Sequence, residues 1–440
     1  MNYQTIKKLG QGGFGIVEEV LGDDGHHYAR KTLVVPANLD PEQVNPRFER
    51  EVKYQSAIKH NHVVYIFDHD LSANPPWFTM PLAECSLLDE MMLDRTLGGD
   101  PRYALFNILA GLEEIHRLGY CHRDLKPHNV LKFKGPDGGP LYALSDFGLM
   151  AVGEEASSTL TPSGVGGGTP AYQAPECAVN FKRATPRSDI YSFGALLHDI
   201  FAVNPKRLPH EQLTAPGDIG PVIEKCTKKN AHRRYQDVAQ LREALFDALN
   251  NYQFVYQSGE EQKVVEFLSR ESPLPTEEEW DEIFDFLDVT PDTGMPTHNV
   301  FQSLRLEHIN HLGAEDPDLM SALGKMFADH CRKRSFNFDY CDVLAGKAQA
   351  FYDLGETGLK ADMAVAMLIL GLDHNRWFVE RKFLQMASPA APEPVVQRMI
   401  VEMSVQAIDF DYQFRRMGNS ISVDKEVLHP LLQALISDAG

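Results

Sequence analysis

The stretch CHRDLKPHNVL, Cys121–Leu131, sets His122, Arg123, Asp124, Lys126 and Asn129 among Leu125, Pro127, Val130 and Leu131. Polar and charged side chains are costly to bury unless each finds a partner. A stretch that interleaves them with apolar anchors reads as a loop pinned to a core while it presents charge elsewhere. The run before it, from about Asp100 to Gly119, is helical in pattern, with Leu105, Ile108, Leu109, Leu112 and Ile115 on one stripe.

Working outward from that loop, the N-terminal LGQGGFGIV places Gly10, Gly12 and Gly15, with Gly13 between, in a G-x-G-x-x-G-x-V pattern ending at Val17. Such a pattern alone fits an ordinary glycine-rich hairpin. A dinucleotide site would need a helix after the glycines. IVEEVL instead reads as a strand, which favours a hairpin folded over phosphates. YARKTL then supplies Lys31 beside Ala29, and a lysine there needs a carboxylate to orient it. FEREVKYQSAI offers Glu51, with Glu49 as the alternative.

With these pieces in order, residues 3–252 resemble the eukaryotic-like protein kinases, whose signature set is well defined. The match continues through Asp146-Phe147-Gly148, Ala174-Pro175-Glu176, Asp189 in SDIYSFGALLHDI, and Arg234 or Arg233 in AHRRY. The resemblance implies an α+β, bilobal fold, with a β-rich lobe at about 1–82 and an α-rich lobe at about 83–252. It implies ATP and Mg²⁺ as cofactors and a Ser/Thr-containing protein substrate.

Site roles follow from the same resemblance. Lys31, held by Glu51, takes the α- and β-phosphates under the glycine loop. Asn129 and Asp146 hold the metal. Asp124 accepts the substrate hydroxyl proton, and Lys126 approaches the γ-phosphate. Lys126 in HRDLKPxN and Thr169 in Gly168-Thr169-Pro170 are the serine/threonine form. Val17, Ala29 and Leu131 sandwich the adenine, Met80 guards it, and Ala83 gives its hinge NH. Pro81, which lacks an NH, departs from the family's usual hinge. Glu176 and Arg234 pair, and Asp189 sits in a buried helix. Arg123 implies a phosphate on the loop bearing Ser157, Ser158, Thr159, Thr161, Ser163 and Thr169. A pseudokinase scaffold is the alternative, although Lys31, Asp124, Asn129 and Asp146 are all present. A small-molecule phosphotransferase fits worse, because such enzymes generally lack the Ala-Pro-Glu and Gly-Thr-Pro segments.

The last 180 or so residues differ in character. The net charge is −20 over 440 residues, and residues 251–440, with 16 Lys/Arg and 31 Asp/Glu, carry −15 of it. A surface this acidic argues against nucleic acid or anionic membrane as partner. Six scattered cysteines without a CxxC pair suggest free thiols in a reducing cytosol. The N-terminus lacks a signal-peptide pattern, and the longest apolar run, AVAMLILGL, is far short of the ~20 residues of a membrane span. A cytoplasmic protein is the expectation. Residues 253–258 read as a linker and 259–440 as an all-helical domain. A capping box at Thr276 and an Asp316-Pro317 helix start support this. Breaks fall at Gly355 and at Asp373-His374-Asn375. Paired helices loosely resemble tetratricopeptide hairpins, without a fixed repeat. Asp288, Asp292 and Gly294 hint at a calcium loop, but the glycine is misplaced and surface acid is the better reading. The acidic domain is expected to dock a basic partner, hold substrate or inhibit in cis.

Overall fold

The computed structural model describes residues 1–11, 15–35, 41–136, 138–147, 151–152, 170–180, 183–250 and 253–437. The chain divides into two compact units, Met1–Leu249 and Asn250–Gly440.

The first unit opens with β1 (Tyr3–Gln11), β2 (Gly15–Gly22) and β3 (His27–Leu33), joined by β4 (Asp68–Asp70) and β5 (Trp77–Pro81) in an antiparallel sheet of order β1-β2-β3-β5-β4. The register sets Val17 opposite Lys31 and Ala29 opposite Met80. The stretch from about Pro46 to Ile58 reads as helical in the sequence, and helix α1 (Pro41–Ala57) begins five residues earlier. Proline is compatible with a first helical position, and Pro41 supplies one.

The run VVYIFDHD, residues 63–70, reads as a short strand in the sequence, yet it pairs in this sheet only at Asp68–Asp70. Val63 instead bridges Leu144 in parallel, and the Val64 NH donates to Leu144 O at 2.9 Å. These valines thus fix the segment that leads to Asp146. Beneath the sheet, Ala29, Leu33, Phe48, Val52, Val64, Phe78, Met80 and Ala143 form one buried apolar cluster.

The rest of the unit is mainly helical. It contains α2 (Leu87–Leu93), α3 (Arg102–Arg117), α4 (Pro175–Val179), α5 (Pro186–Phe201), α6 (Ile219–Cys226) and α7 (Val238–Asn250). A small sheet joins Cys85–Ser86, Val130–Lys134 and Pro140–Leu144. The α3 stripe Leu105, Ile108, Leu109, Leu112 and Ile115 is buried as its spacing predicts. Gly111 lies so near the loop before the sheet that a Cβ there would meet His62 O at 2.5 Å.

The second unit is helical among its described residues. It runs through α8 (Gly259–Ser269), α9 (Glu277–Val289), α10 (Met295–Ser303), α11 (Leu306–Glu315), α12 (Pro317–Lys333), α13 (Phe338–Leu354), α14 (Thr357–Asp373), α15 (Trp377–Met386), α16 (Glu393–Val405), α17 (Phe410–Ile421) and α18 (Pro430–Gln433). Thr276 forms its capping box with Glu279, and Asp316 caps α12 with Pro317 in the first turn. The expected breaks lie between α13, α14 and α15.

As in stacked helical hairpins, α14 packs mainly on helices one or two places away in the chain, α12, α13, α15 and α16, with a lighter contact to α17. AVAMLILGL accounts for its central place. It falls within α14, where Ala364–Leu368 are fully buried and apolar on every side, so the helix needs neighbours all round. Among the described residues no helix is long and apolar enough to cross a membrane. Asp292 pairs with Lys333 at 2.6 Å, and Gly294 caps α10, in keeping with surface acid at the calcium-like stretch.

Candidate active site

The loop Cys121–Leu131 owes its position to how α3 ends. Gly119 takes a φ of +80°, and its NH donates to His116 O at 2.9 Å, turning the chain out of the helix. Asp189, fully buried on α5, then catches the loop. Its carboxylate accepts from the His122 NH at 2.8 Å and the Arg123 NH at 2.8 Å, and His116 Nε2 contacts it at 2.8 Å. Burial works to raise the Asp189 carboxyl, but His116, His122 and the backbone NH of Arg123 outweigh it, so the group stays below the usual carboxylate range.

His122 is buried, with Nε2 3.1 Å from Ser145 O and its ring 5.2 Å from that of buried Phe147. Arg123 and Asp146 adopt φ values of +69° and +65°, uncommon for residues with a Cβ. Strain of this kind persists only where surrounding bonds over-determine the backbone.

Next along the loop comes Asp124. Lys126 Nζ donates to its Oδ2 at 2.7 Å, and Asn129 Nδ2 donates to its main-chain O at 2.8 Å and its Oδ2 at 3.1 Å. The amide of Asn129 is thereby oriented with its oxygen turned from Asp124. Asn129 O accepts from the Ser145 NH at 2.8 Å, tying this loop to the segment that carries Asp146.

From the sheet side, Lys31 Nζ contacts Glu51 Oε1 at 2.6 Å and Asp146 Oδ1 at 3.1 Å. Glu49, the alternative partner, is exposed. Burial works to lower the Lys31 ammonium, but Asp146 and Glu51 outweigh it and hold its pKa above the ordinary lysine value. One ammonium cannot fully offset two carboxylates. The Glu51 side chain is 4% exposed and that of Asp146 43%, so Glu51 suffers more from lost hydration. Burial pushes Glu51 up from 4.5 to about 7. Asp146 stays below the usual aspartate range, because Lys31 outweighs the burial that would raise it.

The sign of the stability effect follows. The folded state binds Glu51's proton more tightly than the unfolded chain does, so stability from this group is present at low pH and lost as pH rises from about 4.5 through about 7. Glu51→Gln, which keeps an acceptor for Lys31, is therefore expected to melt like the native protein near pH 5 and several degrees higher at pH 8, roughly 3–8 °C. Thermal melts across that range check it, and a difference that does not change with pH would refute it.

Beside these charges lies an apolar slot. Val17, Leu82 and Leu131 pack against the cluster that contains Ala29 and Met80, and Ala83 follows at partial exposure. A Cβ on Gly10 would meet nothing within 4 Å, whereas one on Gly15 would stand 3.0 Å from Thr32 O and 3.3 Å from Lys31 Cγ. Gly15 thus lets β2 pass close to the Lys31 stem. Gly12, Gly13, Gly148, Ser157, Ser158, Thr159, Thr161, Ser163 and Thr169 lie outside the described residues.

Past the loop, Arg234 grips Glu176 with two bonds, at 2.7 and 2.8 Å, and donates to Lys228 O and Arg187 O at 2.8 and 2.9 Å. Arg233 is exposed, which settles the pair in favour of Arg234. Ser188 Oγ adds a 2.8 Å bond to Glu176, and the Arg234 guanidinium lies over the Tyr191 ring at 5.1 Å. Sequence reading missed His116, Ser145 and Ser188. Each acts through a backbone or carboxylate contact that only the fold creates. The nearest signal was His116, six residues ahead of His122.

This arrangement has known counterparts. Residues 3–255 match the family model described as the protein kinase domain. The serine/threonine-protein kinase Pkn1 of Myxococcus xanthus is 28% identical over 273 residues, 56% of this chain and 38% of that protein. The serine/threonine-protein kinase AfsK of Streptomyces coelicolor is 31% identical over 251 residues, 53% of this chain and 30% of that protein. The DNA damage-responsive serine/threonine-protein kinase RqkA of Deinococcus radiodurans is 32% identical over 263 residues, 54% of this chain and 38% of that protein. The chain thus spans about a third of the length of the relatives it matches. The family model covers more than half of the chain, over the residues that build this site, and the chain therefore belongs to the protein kinase family.

Proposed function

We propose that the protein is an ATP-dependent serine/threonine protein kinase. One observation carries the reading. Lys31 is clamped between Glu51 and Asp146, and the Asp146 carboxyl also feels the Lys126 ammonium, which bonds Asp124 beside Asn129. Phosphoryl transfer needs positioning and charge neutralisation rather than covalent help, and this set offers both.

Each residue has a part. The slot of Val17, Ala29, Met80 and Leu131 receives the adenine, with Ala83 at the hinge. Lys31 binds the α- and β-phosphates, and Glu51 holds it there. The free Asn129 amide oxygen and the open Asp146 carboxylate are hard oxygen donors, which suits Mg²⁺. When bound, that ion neutralises phosphate charge. The substrate hydroxyl oxygen forms a bond to the γ-phosphorus, the bond from that phosphorus to the bridging oxygen breaks, and ADP leaves. Asp124 takes the hydroxyl proton, and Lys126 compensates charge on the moving phosphoryl group. Arg123 and the loop of Ser157, Ser158, Thr159, Thr161, Ser163 and Thr169 form an autophosphorylation device. The acidic unit from 259 onward, behind a 253–258 linker, serves regulation or docking of a basic partner.

The test is transfer from γ-labelled ATP to a serine- or threonine-bearing protein in the presence of Mg²⁺. Transfer is expected, with phosphate found by mass spectrometry in 157–163 or at Thr169, and Lys31→Met is expected to abolish both. Nucleotide binding without transfer would instead identify a pseudokinase scaffold.

A further inference from the structure

Inside the second unit lies a carboxyl with half of its bonding capacity unused. Glu380, on α15, is fully buried. The α14 backbone closes on it, so that a Cβ on Gly371 would stand 2.9 Å from Glu380 N and 3.0 Å from its Cγ. Glu380 Oε1 lies 3.1 Å from Ser420 Oγ on α17, and Oε2 is buried without a hydrogen-bond partner. An ionised carboxylate is costly in such a place.

The charged groups on the elements packed around it are engaged elsewhere. On α17, Arg416 donates to Leu372 O at 3.0 Å and to Gln413 Oε1 at 3.0 Å, and Arg415 pairs with Asp411 at 3.1 Å. On α13, Asp342 is bonded by Arg376 at 2.6 Å. At the end of α14, Asp373 is exposed, and His374 accepts from the Phe336 NH at 2.9 Å while its Nδ1 lies 2.9 Å from Leu370 O. Burial pushes Glu380 up from 4.5 to about 7, outweighing the Ser420 bond and the charges of Arg381 and Arg416.

Ser420 is the pivot. Its Oγ also lies 3.3 Å from Asn375 Oδ1, in the turn between α14 and α15. A hydroxyl has one hydrogen to give and two lone pairs to receive. With a proton on Oε1, Glu380 donates to Ser420 and Ser420 donates to Asn375, so both bonds form and α15, α17 and the turn are joined. When Glu380 is ionised, Ser420 turns its hydrogen to the carboxylate, and Asn375 loses its donor. Asn375 is exposed, so water reaches the outer end of this chain of bonds.

We infer that Glu380, Ser420 and Asn375 form a proton-operated latch, which holds α17 to α15 when Glu380 is neutral and loosens it when Glu380 is ionised. The second unit thereby senses pH, whatever reaction the first unit performs. Glu380 binds its proton more tightly in the closed state than in the open one. Closure is therefore fully supported below about pH 4.5 and loses that support as pH rises through about 7.

Hydrogen exchange of the full chain tests this, read segment by segment by mass spectrometry and corrected for the intrinsic pH dependence of exchange. Between pH 5.5 and 8, exchange in 410–421 is expected to speed up roughly 10- to 30-fold, the gain in opening when a carboxyl of about 7 in the closed state returns to about 4.5 in the open one. Helices α13 and α14 should change less. The readout is local, so titration of Glu51 in the first unit does not enter it. Glu380→Gln, whose amide donates to Ser420 as the protonated acid does, should stay slow across the range. Ser420→Ala, which cuts the chain of bonds, should exchange fast already at pH 5.5. A flat native profile, the native rise retained in Glu380→Gln, native-like slow exchange at pH 5.5 in Ser420→Ala, or an equal rise throughout the second unit overturns the inference. If Glu380→Gln does not fold, the native protein and Ser420→Ala decide on the same terms.

Discussion

Asp124→Asn is expected to reduce kcat by about 10²–10⁴-fold, the range over which a positioned general base acts, while ATP affinity stays within about twofold. The geometry separates the two effects. Of the groups assigned to nucleotide phosphates, Lys126 donates to Asp124 Oδ2 at 2.7 Å. The asparagine oxygen can still accept that bond and the 3.1 Å bond from Asn129 Nδ2. The loop is also held independently of this side chain, through Asp189 and the His122 and Arg123 NH groups. Fold and nucleotide site are therefore expected to survive, and what disappears is the charge proposed to receive a proton. Stopped-flow nucleotide binding and steady-state transfer check the two halves. Loss of ATP binding in parallel with kcat would show that Asp124 acts by holding the site together and would remove it from the role of base.

The constellation proposed for catalysis could be read from the sequence because phosphoryl transfer constrains residue type and order at once. Asp124, Lys126 and Asn129 lie within six residues, and local chain geometry alone brings them together. Lys31, Glu51 and Asp146 are separated by up to 115 residues, and only the ordered set of motifs made them one site. The choices between Glu51 and Glu49 and between Arg234 and Arg233 needed burial, which sequence spacing does not reveal. The strand expected at VVYIFDHD shows the opposite failure. Its apolar run fits a strand of the main sheet, but Val63 and Val64 are drawn to Leu144 by pairings remote in sequence.

The second unit was legible as helices and not as an architecture. Caps at Thr276 and Asp316 are written locally, within three residues each. The central position of α14 is not. It follows from burial of that helix against α12, α16 and α17. A buried pair such as Asp342 with Arg376, 34 residues apart and bonded at 2.6 Å, leaves no local trace. Polar groups of this kind read as surface charge until the fold encloses them.

Arg234→Met is expected to destabilise the native protein by about 3–5 kcal/mol, the cost of breaking a buried ion pair on one side. At roughly 2–4 °C per kcal/mol for a unit of this size, the melting temperature should fall on the order of 10 °C. The Arg234 side chain is fully buried and that of Glu176 17% exposed, so water offers little screening. The substitution leaves the Glu176 carboxylate with Ser188 alone of the side chains named around it, and strips donors from Lys228 O and Arg187 O. Burial works to raise Glu176, but Arg234 outweighs it and holds the carboxyl below its ordinary value. Stability from the pair is thus present above the unfolded glutamate pKa and lost as pH falls through the lower folded one. The native protein should therefore lose part of its melting temperature below about pH 4.5, whereas Arg234→Met, already lacking that contribution, should lose less over the same interval. Glu176→Gln in the Arg234→Met background should recover part of the loss, because it removes the stranded charge. Calorimetry of the single and double variants decides the matter: additive losses would mean that the two residues stabilise the fold separately, and that their paired geometry contributes nothing of its own.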